Sequence, residues 1–396
     1  RNGYNTSKPK TPSYVPYKLK TSGRLQQKTL ESENIEKITP LQPLLPEEWT
    51  QLARDAKLIE EHQAIRDYQV EAANLVLERR RDLCVIAQTG AGKTLVWMLP
   101  LYAQKAGISL VIIPYTSLGH QGEQRYQTSG VRSIFLHSGA KDRALLEEVV
   151  CGGGRRVIYV CPEMLETPTI ACLLHSESFQ AQLSGIYIDE AHCVQESHTW
   201  RPSYTNIHQL RRVVGTDVPL IALSATLPTA YRTSLETYTG LKPDYHLINL
   251  GNFRPELSTI IRKMQHPTAS FLDLKFVIPW SATAETVPST IIYCDDIESL
   301  TEMFWWFRAR PSMQKLPPHF VEIMHAGLSE RHQQLATKNF EAGRARVLLA
   351  TDKIGAGMDF PHVTLVVQYG CRDLTLVKWE QRRGRGARRR GMTAVG

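Results

Sequence analysis

Two groups of residues in this chain have the types and spacing to handle a polyphosphate. The first is Ala87-Gln88-Thr89-Gly90-Ala91-Gly92-Lys93-Thr94. Glycines let backbone N–H groups close around phosphate oxygens, and a following helix adds its positive N-terminus. In such a loop Lys93 reaches the β- and γ-phosphates and the Thr94 hydroxyl holds Mg²⁺. The second group is Asp189-Glu190-Ala191-His192. Two adjacent carboxylates at a strand end can divide the labour. Asp189 orients the waters of Mg²⁺, and Glu190 polarises an attacking water as general base.

The flanking residues supply the elements that position these groups. Leu83-Cys84-Val85-Ile86 reads as a short buried strand before the glycine loop, and Leu95-Val96-Trp97-Met98-Leu99 as the first turns of a helix after it. Gly185-Ile186-Tyr187-Ile188 leads into the carboxylate pair, and Pro219-Leu220-Ile221-Ala222-Leu223 into Ser224-Ala225-Thr226. The small hydroxyl residues Ser224 and Thr226 can hydrogen-bond to the Asp189–His192 segment. Ser109–Pro114 and Val157–Pro162 repeat the scheme of strand, proline and helix start. Alternation restarts after residue 288, with strands at 289–294 and 346–352 and a helix through Phe304-Trp305-Trp306-Phe307, read as core. Strands alternating with helices imply parallel sheets covered on both faces.

In this order the motifs resemble superfamily 2 helicases, over about residues 62–391. Ala87, where the general pattern has Gly, is a mark of that group. Ile65-Arg66-x-x-Gln69, Asp189-Glu190-Ala191-His192-Cys193, Trp200-Arg201-Pro202-x-Tyr204, Asn252-Phe253-Arg254-Pro255 and His325-Ala326-Gly327-Leu328 are similar to RecQ-type DNA helicases with a DEAH box. The resemblance implies an α/β fold of two tandem RecA-like P-loop domains, each a mostly parallel sheet with helices on both faces. It implies ATP and Mg²⁺ as cofactors and 3′→5′ unwinding of DNA in repair or recombination, with single-stranded and duplex DNA as partners.

The resemblance also distributes roles. Gln69 stands where an adenine reader is placed, since an amide offers both a donor and an acceptor. Pro114 and Ser117 fall in a segment that grips single-strand phosphates, and Thr351 in another. His192, Ser224 and Thr226 relay hydrolysis to lobe movement. Trp200 and Arg201 end an aromatic loop that senses DNA; Trp200 either stacks a base or anchors the core. Asp359 communicates with the nucleotide. In Gln381-x-x-Gly384-Arg385-x-Ala387-Arg388, Arg385 and Arg388 face the γ-phosphate from across the cleft. Two departures stand there: Ala387 replaces Gly, and Arg382 replaces the Glu usual in RecQ enzymes.

Charge sharpens the domain plan. The net +8 of the 396 residues resolves into +7 for residues 1–30, +6 for 371–396 and −5 between them. Residues 1–45 are therefore expected to form a basic disordered arm, which either touches nucleic acid or stays solvated. Residues 46–250 form the ATP-binding lobe, opening on an amphipathic helix over 46–64, and 251–396 the C-terminal lobe. The segment 265–287 reads as a polar loop insertion. The chain begins at Arg1 and stops just past the arginine segment, so a fragment with an incomplete second lobe is expected. No run of about 18 apolar residues is present, so no membrane span is expected. Seven cysteines without a C-x-x-C pair point away from zinc and from a disulfide-linked partner. They fit an intracellular setting, the nucleus in a eukaryote. DNA against RNA stays open at this level, as does a nucleic-acid-binding protein with an inactive ATPase core, or a translocase that does not unwind.

Overall fold

The computed structural model describes residues 37–396 apart from 126–129, 138–152, 199–200, 353–357, 359, 373 and 390. Two parallel sheets organise it. The first holds β1 (Leu83–Ile86), β2 (Gly107–Ile112), β3 (Arg132–Leu136), β4 (Arg155–Val160), β5 (Leu183–Ile188), β6 (Leu220–Ser224) and β7 (His246–Asn249) in the order β3-β4-β2-β5-β6-β1-β7. The second holds β8 (Leu257–Ser258), β9 (Thr290–Tyr293), β10 (Val321–Met324), β11 (Val347–Ala350), β12 (Leu365–Gln368) and β13 (Ala394–Val395) in the order β10-β11-β9-β12-β13-β8. These are two tandem RecA-like units, and the chain passes between them across 250–256.

The strands are near-continuous apolar runs because helices cover both faces. Along β1, Cys84 and Ile86 enter one core while Leu83 and Val85 enter the other. In the second sheet Ile292, Ile323 and Leu349 face one core, and Ile291, Met324 and Leu348 the opposite one. Placing β5, β6 and β1 side by side brings the loops that follow them to one edge. Ligands of open α/β sheets sit at such carboxyl ends. Among the described residues no helix is long and apolar enough to cross a membrane.

Three expectations need correction. Most of the basic arm lies outside the described residues, but 37–45 is tied down: Ile38 N donates to Ala181 O, Leu41 N to Leu77 O and Leu44 N to Asn74 Oδ1. Asn74 also accepts from Trp49 Nε1 at 2.9 Å, so one amide fixes both the arm's end and the first helix. That helix spans only Pro46–Asp55, because Lys57 turns left-handed at φ +56° and ends it. Finally, 265–287 is irregular, with 3₁₀ turns at Thr268–Ser270 and Leu272–Leu274, yet it is not a surface insertion. Phe271, Leu274, Val277, Ile278 and Val287 are buried in the second unit's core, and Tyr369 Oη donates to Thr268 O at 2.7 Å. Of the 304–307 aromatics, Phe307 is buried, Phe304 and Trp306 pack on the core, and Trp305 is exposed.

Candidate nucleotide site

The glycine loop leaves β1 with Ala87 still in the sheet, its N–H donating to Ser224 O at 3.0 Å and its methyl buried in the core. Ala is accommodated there because the left-handed positions come later, at Gly90 (φ +82°) and Gly92 (φ +83°). Gly92 is doubly constrained, since a Cβ on it would lie 2.7 Å from Gln69 Nε2. Lys93 Nζ donates to Ala87 O at 2.9 Å, and Thr94 stands immediately before the helix Leu95–Ala103.

Gln69, expected at the adenine, is held by the backbone in this structure. It is 2% exposed, its Oε1 accepts from Arg66 N at 2.9 Å and its Nε2 donates to Gly92 O at 2.9 Å. Both ends of the amide are spent on the backbone, so here Gln69 locks its helix to the phosphate loop.

At the end of β5, Asp189 Oδ1 accepts from Glu190 N at 3.0 Å. Burial, and then the charge of Glu190, push the Asp189 carboxyl up to about 7, against the pull of Lys93. Glu190 sits at φ +49°, a left-handed conformation that costs a residue with a Cβ about 1–3 kcal/mol and clusters at functional sites. Its Oε2 lies 3.4 Å from His192 Nδ1. These groups suit Mg²⁺: a hydroxyl at Thr94 and a carboxylate at Asp189 are hard oxygen donors. Among the described residues no three His, Cys, Asp or Glu side chains form a metal cage. Mg²⁺ commonly keeps several waters and is bound through one or two protein oxygens together with phosphates.

His192 is the junction of the two units. Ser224 Oγ donates to Thr226 O at 2.7 Å and accepts from Thr226 N at 3.1 Å. Its one proton is therefore committed, and His192 Nδ1, 3.0 Å away, must be the donor to it. Nε2 is then the bare nitrogen and accepts from the Gln381 amide of the second unit. Burial holds the imidazole below its ordinary pKa, in keeping with this neutral tautomer.

Gln381 lies on the helix Leu376–Arg383, capped by Thr375, whose Oγ1 accepts from Lys378 N. Its partner loop abuts the phosphate loop: a Cβ on Gly384 would stand 3.7 Å from Thr89 Oγ1. Arg385 Nη1 donates to Met358 O at 2.6 Å, and Arg388 Nε to Gly384 O at 3.3 Å. Ala387 takes φ +49°, with its N–H on Val363 O and its methyl packed against Leu257 and Ala394. Arg382 is buried, donating to Asp352 at 2.9 Å, to Asp295 at 3.2 Å and to Gln368 Oε1 at 2.5 Å, above the Tyr293 ring at 5.1 Å. Burial opposes its charge, but the two aspartates outweigh it and hold the guanidinium further up.

Among the residues expected to contact nucleic acid, Arg201 is committed internally. It pairs with both Glu163 oxygens, donates to Pro114 O and lies 5.4 Å from the Tyr204 ring. It thus ties three strand-end segments together. Ser117 stands in the first turn of the helix Thr116–Arg125, and Thr351 N donates to Met324 O at 3.3 Å. Trp200 and Asp359 lie outside the described residues. Motif reading included Arg254, which is 6% exposed, but gave it no role. It pairs with Glu256 at 2.6 Å and donates to the carbonyls of Gly384 (3.3 Å), Gly386 (3.2 Å) and Ala387 (2.8 Å). It sits within Asn252-x-Arg254-Pro255, but nothing local points it at a loop 130 residues away.

The family described as DEAD/DEAH box helicase matches residues 66–233, and that described as helicase conserved C-terminal domain matches 273–390. The ATP-dependent DNA helicase RecQ of Haemophilus influenzae is 26% identical over 331 residues, 83% of this chain and 50% of that protein. The chain thus spans about half the length of such curated relatives. Among solved structures, the DUF1998 helicase MrfA bound to DNA aligns with a TM-score of 0.68 at 18% identity, covering 91% of this chain and 53% of that one. Dbp5 of S. cerevisiae bound to RNA and ADP BeF3 aligns at 0.61 and 18%, covering 89% and 86%. Both show likeness of fold.

Proposed function

We propose that this chain, which belongs to the RecQ-like superfamily 2 helicases, is a motor core that couples ATP hydrolysis to 3′→5′ movement along single-stranded DNA. The observation that carries the reading is the hydrogen-bond chain Thr226–Ser224–His192–Gln381. It passes Glu190 at His192 and ends on the arginine helix of the other unit. Any change at Glu190 is felt by a neutral imidazole that also holds the second unit.

In this mechanism the loop N–H groups and Lys93 bind the β- and γ-phosphates. Thr94 and Asp189 would hold Mg²⁺, which would neutralise charge on the phosphates. Glu190 takes the proton of the attacking water. Arg385 and Arg388 exchange their present carbonyl partners for the γ-phosphate, a contribution of roughly 10³–10⁵ in rate for such arginines. Pro114, Ser117 and Thr351 line the strand path, with Arg201 holding the first of these in place.

Steady-state ATPase with single-stranded DNA and with RNA of equal length tests the reading. DNA stimulation abolished by Lys93→Ala supports it. Stimulation by RNA alone would move the substrate to RNA, and equal turnover in the variant would sink the mechanism. A strand-displacement assay with 3′- and 5′-tailed duplexes tests polarity and separates unwinding from bare translocation.

A further inference from the structure

The irregular segment 265–287 buries its apolar residues but leaves two large ones outside. Trp280 is 73% exposed and Phe276 51% exposed. They border a groove of about 640 Å³ whose other wall is Trp306 and Arg310, at the end of the helix Ile297–Ala309. Arg310 lies 4.9 Å over the Trp306 ring, and its Nη1 is enclosed without a hydrogen-bond acceptor among the described residues. Burial depresses the guanidinium, and no acid opposes that. The groove lining includes Lys275 as a second cation and no carboxylate.

Exposed aromatic faces beside unneutralised cations are the two elements that hold a single strand. Bases stack on the rings whatever their sequence, and phosphates pair with the cations. An acidic peptide would answer the charge and leave Trp280 and Phe276 in water. A proline-rich peptide would cover the rings and leave Arg310 unanswered. A nucleotide strand alternates ring and anion and answers both.

We propose that this groove is an auxiliary site for single-stranded nucleic acid. Bases stack on Trp280 and Phe276, and a phosphate pairs with Arg310 and Lys275. It extends the motor reading by giving the strand a second hold on the C-terminal unit, remote from the nucleotide-binding residues in sequence.

The test is binding of a fluorescent oligothymidine by the full chain without nucleotide, over a salt series. Trp280→Ala, at a largely exposed position, is expected to weaken affinity about 5- to 100-fold. Arg310→Gln is expected to lower the salt slope by about 0.7, the value of one single-strand phosphate contact, and Arg310→Lys to restore it. A bromodeoxyuridine-substituted strand should crosslink within 272–280. Wild-type affinity and slope in the variants, or crosslinks only elsewhere, overturn the proposal. So does displacement of the oligonucleotide by oligoglutamate equally well from wild type and Trp280→Ala. Because the assay needs no hydrolysis, an inactive ATPase with groove binding intact would sink the motor reading alone.

Discussion

Replacing Arg254 by Met should slow hydrolysis without loosening ATP. The change keeps most of the volume of a buried side chain and removes its donors to Gly384 O, Gly386 O and Ala387 O. Gly384 O keeps Arg388 Nε, so two carbonyls are left without this donor. Each buried acceptor stripped of its partner costs about 1–3 kcal/mol. Glu256 also loses its partner, but at 30% side-chain exposure it can turn to water and adds little. The sum is about 3 kcal/mol after partial relaxation. It falls on the loop that carries Arg385 and Arg388 rather than on the first unit. At about 1.4 kcal/mol per tenfold, the population of the loop's present geometry drops by up to about 100-fold.

Strand-stimulated kcat should therefore fall by one to two orders of magnitude in Arg254→Met. KM for ATP and the Kd of a fluorescent ATP analogue stay close to wild type, because Lys93 and Thr94 are untouched. Arg254→Lys, which keeps a donor but not the fork, should recover part of kcat. A lower melting temperature with unchanged kcat would refute the reasoning, since Arg254 would then serve packing alone. Unchanged kcat together with unchanged stability would show that the three carbonyl contacts hold nothing.

The Asp189 carboxyl at about 7 lies above its ordinary 3.8, so protonation is retained toward neutrality. Mg²⁺-dependent binding of the ATP analogue should strengthen from about pH 6 to about pH 8 and flatten in Asp189→Asn, and a flat wild-type profile would be evidence against this role. The same shift has the folded state hold the proton longer than the unfolded one, so this group's contribution to stability falls as pH rises from about 4 to about 7. Gln381→Ala removes the donor to His192 Nε2. Basal ATPase should persist while stimulation by a strand falls about tenfold, as for a lost hydrogen bond to a buried group; full stimulation would break the link between the units. Arg382→Glu, which installs the residue usual in RecQ enzymes, places a third acid beside Asp295 and Asp352. It should destabilise the second unit by about 3–5 kcal/mol in a denaturant melt, and a neutral result would show that the buried charge is expendable.

The residues whose roles motif reading located and those whose roles it missed differ in how their positions are determined. Gly90, Lys93, Asp189, Glu190, Ser224 and Thr226 lie at, or a short loop beyond, the carboxyl end of a buried strand. Once β5, β6 and β1 are neighbours, their loops meet whatever else the chain does. Spacing along the chain is then enough to infer proximity. Gln69 is different: its place on the helix was legible, but the destination of its amide depended on Gly92 lacking a Cβ. Arg254 and Arg382 are further removed. Their partners lie up to 133 and 87 residues away, and a buried arginine declares itself only through those partners. Arg382 did leave one trace, as an arginine in a glutamate's position. Asp295 and Asp352, which make it tolerable, carried no motif of their own in 295 and only a borrowed one in 352. The segment 265–287 misled for a related reason. Phe271, Leu274, Val277 and Ile278 have helical spacing, but only over two turns between Pro267 and Pro279, and the chain there forms 3₁₀ turns that fill the second unit's core. The same irregular packing turns Phe276 and Trp280 outward. The part of the chain least readable as structure is thus the part that leaves aromatic surface open beside Lys275 and Arg310.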